Sequence, residues 1–171
     1  ESIPRVDEAA DYALSNAQRR LWVIDQMSET AEAQAAYNMP AALRLRGDLD
    51  ISALEQVFDL LFERHESLRT QFIDGRQVIV PAAPYQLPQR DGRGMSAAAI
   101  ETLVKAHALC AFDLANDRLL QLELLQLEEA EYLLLFNMHH IISDGWSMGI
   151  LVSELGTLYA SCVKGDGPSL P

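Results

Sequence analysis

Two adjacent histidines, His139 and His140, are followed closely by Ser143, Asp144 and Gly145. Imidazole is the side chain whose ordinary proton affinity lies nearest neutral pH, so two histidines beside a carboxylate suggest proton transfer. They come directly after the apolar run Tyr132-Leu133-Leu134-Leu135-Phe136-Asn137-Met138. A buried strand ending there would project imidazoles from its end, and a glycine just behind allows a tight turn into a following helix. Successive strand side chains point to opposite faces, so at most one of the two rings enters a given cavity and the other is directed into the structure.

Asp144 has three possible roles. It could orient an imidazole, as in a triad. It could cap the next helix, whose N-terminus favours negative charge. Buried, it would need an arginine partner. Arg64 and Arg69 are the candidates, in the run Arg64-His65-Glu66-Ser67-Leu68-Arg69-Thr70 at a predicted helix–strand junction. An arginine–carboxylate contact there would brace the loop that carries the histidines.

Other chemistries fit less well. Adjacent strand histidines do not easily share one ion and no third ligand is evident, so no metal site is expected. There is no Gly-x-Ser-x-Gly elbow, and Ser147 reads as a helix-start residue. No glycine-rich phosphate loop is present. Trp22 and Trp146 read first as packing residues, with lining of a ligand channel as the alternative, one that extends to Ser147 beside Trp146. His65 and His107 fall in predicted helices as surface or boundary residues.

The elements that must position these groups follow from periodicity. Ser15 with Gln18 fits a capping box opening a helix over about 15–28, whose apolar positions Leu14, Ala17, Leu21, Ile24 and Met27 recur at helical spacing. Residues 1–13 read as an irregular acidic extension and 30–38 as a loop. A strand is expected over 39–46, then a helix over about 51–65 capped by Asp50, with Ile51, Leu54, Phe58, Leu61 and Phe62 inward. Asp74-Gly75 between the runs 68–73 and 77–80 signals a hairpin. Pro81, Pro84 and Pro88 break regular structure beside an edge strand near 85–90. A helix over about 97–110 follows. Strands over 118–127 and 131–138 should pair antiparallel, and a last helix covers about 146–163. The sum is a mixed α/β chain: a two-layer α+β sandwich with a mainly antiparallel sheet packed by helices.

Composition narrows the function. The 171 residues include 25 acidic and 13 basic side chains, a net charge of −12 that would repel nucleic-acid backbones. With 49% hydrophobic residues the chain is globular. No run approaches the ~18 apolar residues of a membrane span, and the acidic N-terminus is unlike a signal peptide. Cys110 and Cys162, both placed in predicted helices, show no metal or redox spacing and fit reduced thiols in a cytoplasmic protein.

His139-His140-Ile141-Ile142-Ser143-Asp144-Gly145-Trp146-Ser147 resembles the His-His-x-x-x-Asp-Gly core motif of nonribosomal peptide synthetase condensation domains. Leu14-Ser15-Asn16-Ala17-Gln18-Arg19-Arg20-Leu21-Trp22 resembles the family's first motif, and Arg64-His65-Glu66-Ser67-Leu68-Arg69-Thr70-Gln71-Phe72 its second. Tyr37-Asn38 matches a pair often seen before the first strand. The resemblance implies a chloramphenicol acetyltransferase-like half, over residues 14–163, of a two-lobed domain with its active site at the seam. It also implies that the second lobe, with its bridging and latch segments, lies beyond this stretch, with 164–171 starting a linker to it. By resemblance the intact domain joins two thioesters carried on the 4′-phosphopantetheine arms of donor and acceptor carrier proteins, beside an adenylation domain, with no cofactor bound directly. His140 matches the catalytic position, as general base or as the group that orients the amine. His139, Asp144 and Gly145 match structural positions, and Gly145 the glycine that lets the arm or backbone approach. The stretch Asp144–Ser147 looks closest to the type that accepts an L-configured donor. Two alternatives stand beside this reading: a stand-alone, trimeric, coenzyme A-dependent acyltransferase, and a non-catalytic subdomain that only docks to partners.

Overall fold

The computed structural model describes residues 7–165. Its main sheet has four strands in the order β2–β7–β6–β5: β2 Asn38–Arg46, β5 Gln89–Asp91, β6 Leu120–Glu128 and β7 Glu131–His139. β7 lies inside the sheet, antiparallel to both β2 and β6, with Asn38 opposite His139 and Leu120 opposite Met138. The expected 118–127 and 131–138 pairing is therefore realised. β5, the expected edge strand, runs parallel to β6.

Strand alternation divides the core. Leu122, Leu124, Leu134, Phe136 and Met138 face α3 (Ile51–Arg64) and α5 (Gly145–Lys164), which bring Leu54, Phe58, Leu61, Leu151 and Leu155 to the same cluster. Phe58 and Phe136 meet edge-on with ring centroids 6.4 Å apart. On the other face α4 (Ala97–Ala108) crosses β2 and β7. Two amides hold its C-terminal end. Asn38 Nδ2 donates to the carbonyls of Ala108 and Cys110 at 2.9 Å, and Asn137 Nδ2 donates to that of His107 at 2.9 Å. A polar side chain with no exposed surface in a central strand is tolerated because it satisfies a helix end that would otherwise lack partners.

A second sheet, ordered β1–β4–β3, pairs Tyr12–Ala13 (β1), Arg76–Ile79 (β4) and Thr70–Ile73 (β3). Asp74 and Gly75 both have positive φ, 50° and 72°, the backbone of a two-residue hairpin turn. Tyr12 and Ala13 correct the expectation that residues 1–13 are irregular. Two residues hydrogen-bonded to a hairpin edge leave no periodic signal. The expected loop 30–38 also carries structure: α2 (Ala31–Gln34) and a 3-10 turn over Ala35–Tyr37. A second cluster, Leu14, Phe72, Phe112, Leu119 and Ile141, joins the small sheet to the turn after β7.

α1 (Asn16–Gln26) opens with the expected capping box: Gln18 N–H donates to Ser15 Oγ at 3.2 Å, and Ser15 N–H to Gln18 Oε1 at 2.9 Å. Its apolar positions are unevenly covered. Leu14 is buried and Leu21 packs beside it, but Ile24 is 37% exposed and Met27 75%. The helix has an apolar side that the described residues leave largely uncovered. Cys110 lies past the end of α4, not in it, and is exposed, and both cysteines are free thiols. No helix among the described residues is long and apolar enough to cross a membrane.

Candidate active site

β7 delivers the two histidines to opposite fates. His139 is 1% exposed and lies edge-on to the Phe112 ring, centroids 6.1 Å apart. Its Nδ1 accepts the Ile141 N–H at 3.1 Å, so the neutral ring carries its proton on Nε2. Burial, with a smaller contribution from neighbouring His140, pushes its pKa down to about 4. A ring so placed stays neutral at ordinary pH and serves as a wedge under the turn.

His140 has the opposite environment. The strand ladder continues one step beyond β7, with His139 N–H donating to Leu119 O at 3.0 Å and His140 N–H to Tyr37 O at 2.9 Å. The chain then turns, and the His140 ring is exposed. Its Nδ1 lies 2.6 Å from the carbonyl oxygen of Ser143. A carbonyl can only accept, so Nδ1 carries the proton and Nε2 of the neutral ring keeps a lone pair. One hydrogen bond thus fixes both the tilt of the ring and its tautomer.

The open cleft at this ring measures about 570 Å³, within the size of small-molecule sites. α1 contributes Gln18, Arg20, Leu21 and Ile24 to its walls, and Tyr37 and Ser147 complete the opposite side. The capping box and helical spacing place α1 in the sequence but not beside the histidine turn, so Gln18 and Arg20 were missed as cleft residues. Their signal was the capping box, which fixes where the helix begins.

Asp144 caps α5. A single carboxylate oxygen takes the Ser147 N–H at 2.8 Å and the Ser147 hydroxyl at 2.7 Å, and those bonds hold its carboxyl below the usual range. The group is exposed, so it needs no buried cation. This corrects the expected arginine brace. Arg64 Nε instead lies 3.4 Å from Glu154, which also takes His65 at 2.5 Å, tying the end of α3 to α5. Arg69 donates to Val80 O at 2.8 Å and pairs with Glu66 at 3.5 Å. Asp144 and Ser147 are brought to the cleft with His140; Arg64 and Arg69 are not among its lining residues.

A Cβ built on Gly145 meets nothing within 4 Å, so no described neighbour demands glycine there; the position borders open space. Trp146 is 81% exposed and is not among the residues lining the cleft, against the first reading of it as a packing residue. Trp22 packs partly against the second cluster. Among the described residues no group of three His, Cys, Asp or Glu side chains could hold a metal ion.

The condensation domain family model matches residues 8–171. This chain belongs to the condensation domain family. The condensation domain chain is 41% identical to malpibaldin synthetase of Mortierella alpina over 95% of its own length and 3% of the relative's. It is 41% identical to surfactin synthase subunit 1 of Bacillus subtilis over 92% of its length and 4% of the relative's. It thus spans only a few per cent of the curated relatives it matches. Among solved structures, the X-domain from teicoplanin biosynthesis superposes with a TM-score of 0.86 at 28% identity, covering 100% of this chain and 37% of that one. The starter condensation domain of rhizomide synthetase shares the fold, with a TM-score of 0.85 at 24% identity over 95% of this chain and 40% of that one.

Proposed function

We propose that this condensation domain chain carries the histidine-bearing lobe of a peptide-bond-forming enzyme, with His140 as its catalytic residue. The observation that supports this is the His140 ring: exposed to the cleft, fixed through Nδ1, with a lone pair left on Nε2. In the reaction, an amine tethered to one carrier protein attacks the thioester carbonyl on another. The C–N bond forms, the C–S bond breaks, and the proton lost by nitrogen ends on the departing sulfur. Nε2 is the group available to take that proton and pass it on. The cleft suits a thioester arm: its walls alternate between apolar Leu21 and Ile24 and polar Gln18 and Tyr37.

The donor and acceptor substrates are thioesters on the 4′-phosphopantetheine arms of carrier proteins, loaded by an adenylation domain. A second lobe, which the family resemblance implies, would close the cleft from the α1 side, where Ile24 and Met27 are exposed. The enzyme would work in the cytoplasm, in keeping with its free cysteines.

The test is dipeptide formation by the protein that carries this sequence, given carrier proteins loaded with aminoacyl thioesters and followed by mass spectrometry. His140→Ala should slow it by roughly 10²–10⁴-fold, the usual worth of a positioned acid–base group. Unchanged turnover would remove His140 from the reaction.

A further inference from the structure

A second cavity adjoins the cleft and shares its wall. It measures about 140 Å³ and lies between the end of α3 and the start of α5. Leu68, Met138, Ile142, Ile150 and Leu151 give it apolar sides. Ile142, Ser143 and Ser147 line both cavities, so a group seated in the smaller one touches the segment whose carbonyl holds the His140 ring.

Its polar groups are mostly committed elsewhere. His65 is held by Glu154 at 2.5 Å. The Ser147 hydroxyl donates to Asp144 at 2.7 Å, and the Ser143 hydroxyl is directed at Met39 Sδ at 3.5 Å. Ser67 is the one lining hydroxyl without a side-chain partner among the described residues. A charged or amide group entering here would lose its hydration and find at most one partner. An apolar group would lose nothing. Cavities of about 150 Å³ with aliphatic walls take a guest the size of benzene.

We infer that this cavity is a specificity pocket that seats the apolar side chain of one tethered aminoacyl substrate, of aliphatic size, beside the reacting thioester. The inference rests on the peptide-bond reading above. Ile150, 43% exposed on α5, forms the rim and sets the depth available.

The experiment uses the protein that carries this sequence and two substrate series. In one the donor arm carries alanyl, valyl, leucyl, phenylalanyl or aspartyl groups and the acceptor is fixed; in the other the series is on the acceptor arm. For one arm, kcat/KM should favour leucyl or valyl over aspartyl, and that arm identifies which substrate the pocket reads. On that arm Ile150→Trp should lower the leucyl-to-alanyl ratio of kcat/KM by roughly tenfold or more, and Ile150→Ala should raise the phenylalanyl-to-leucyl ratio, as differences of a few methylenes in an apolar pocket do. Dipeptide formation with ratios unmoved by both variants on both arms overturns the pocket while leaving the peptide-bond reading intact. Absence of any dipeptide from the unaltered protein overturns both.

Discussion

One oxygen of Asp144 takes two hydrogen bonds from Ser147, from its N–H and from its hydroxyl. The same carboxylate that could have served as a triad member is thereby spent on the first turn of α5. Asp144→Ala should lower the urea midpoint at pH 7, and Asp144→Asn should lower it less, since an amide oxygen still caps. The folded carboxyl titrates below its unfolded value, so its contribution is present at neutral pH and lost as pH falls through the lower folded value. Unfolding curves at pH 7 and pH 3 check this: the gap between the natural chain and Asp144→Asn should narrow at the acid end.

The two adjacent rings should hold opposite tautomers. His140 donates from Nδ1 to Ser143 O, whereas His139 accepts at Nδ1 from Ile141 N–H. Above neutral pH, long-range ¹H–¹⁵N spectra should show the proton of His140 on Nδ1 and that of His139 on Nε2. The same tautomer on both rings would contradict the hydrogen bonding of the turn.

His139 should also make the fold acid-sensitive. The unfolded ring binds its proton near 6.5 and the folded ring only near 4. Acid between those values protonates the unfolded chain alone, so stability is complete above the upper value and falls towards the lower one. The loss amounts to roughly 3 kcal/mol over that window. In His139→Asn, whose Oδ1 can stand in for Nδ1 but does not titrate, denaturant unfolding between pH 7 and pH 4 should show a flatter dependence.

Phe136 has no exposed surface and packs edge-on against Phe58. Phe136→Ala should cost about 3–5 kcal/mol of stability in denaturant unfolding, the range for removing a buried aromatic side chain. Phe58→Ala should cost a comparable amount. The double variant should lose less than the sum, because each single change already forfeits the shared contact.

Much of this was legible in the residues. Capping signatures placed the starts of α1 and α3, and Asp74-Gly75 placed the hairpin, because each depends on local bonding. Alternation along β7 showed that His139 and His140 must part company, but not which one would be exposed; that depends on the turn being drawn to Tyr37, which is remote in sequence. Periodicity along α1 identified an apolar side but not its coverage. Ile24 and Met27 have the spacing of core residues, yet spacing reports amphipathicity and says nothing of whether another surface lies against it. The parallel pairing of β5 with β6 left no trace in either short segment. Asp144 was ambiguous because capping and ion pairing ask for the same side chain, and only its exposure decides between them.

Which imidazole meets the solvent is a matter of odd and even along β7. Tyr132, Leu134, Phe136 and Met138 look one way and Asn137 and His139 the other, so the count of residues from the sheet to the turn sets the assignment. Deleting a single residue from the middle of the strand would slide the ring at position 140 into the slot against Phe112 and leave the exposed site without an imidazole, although the motif would still read the same on paper.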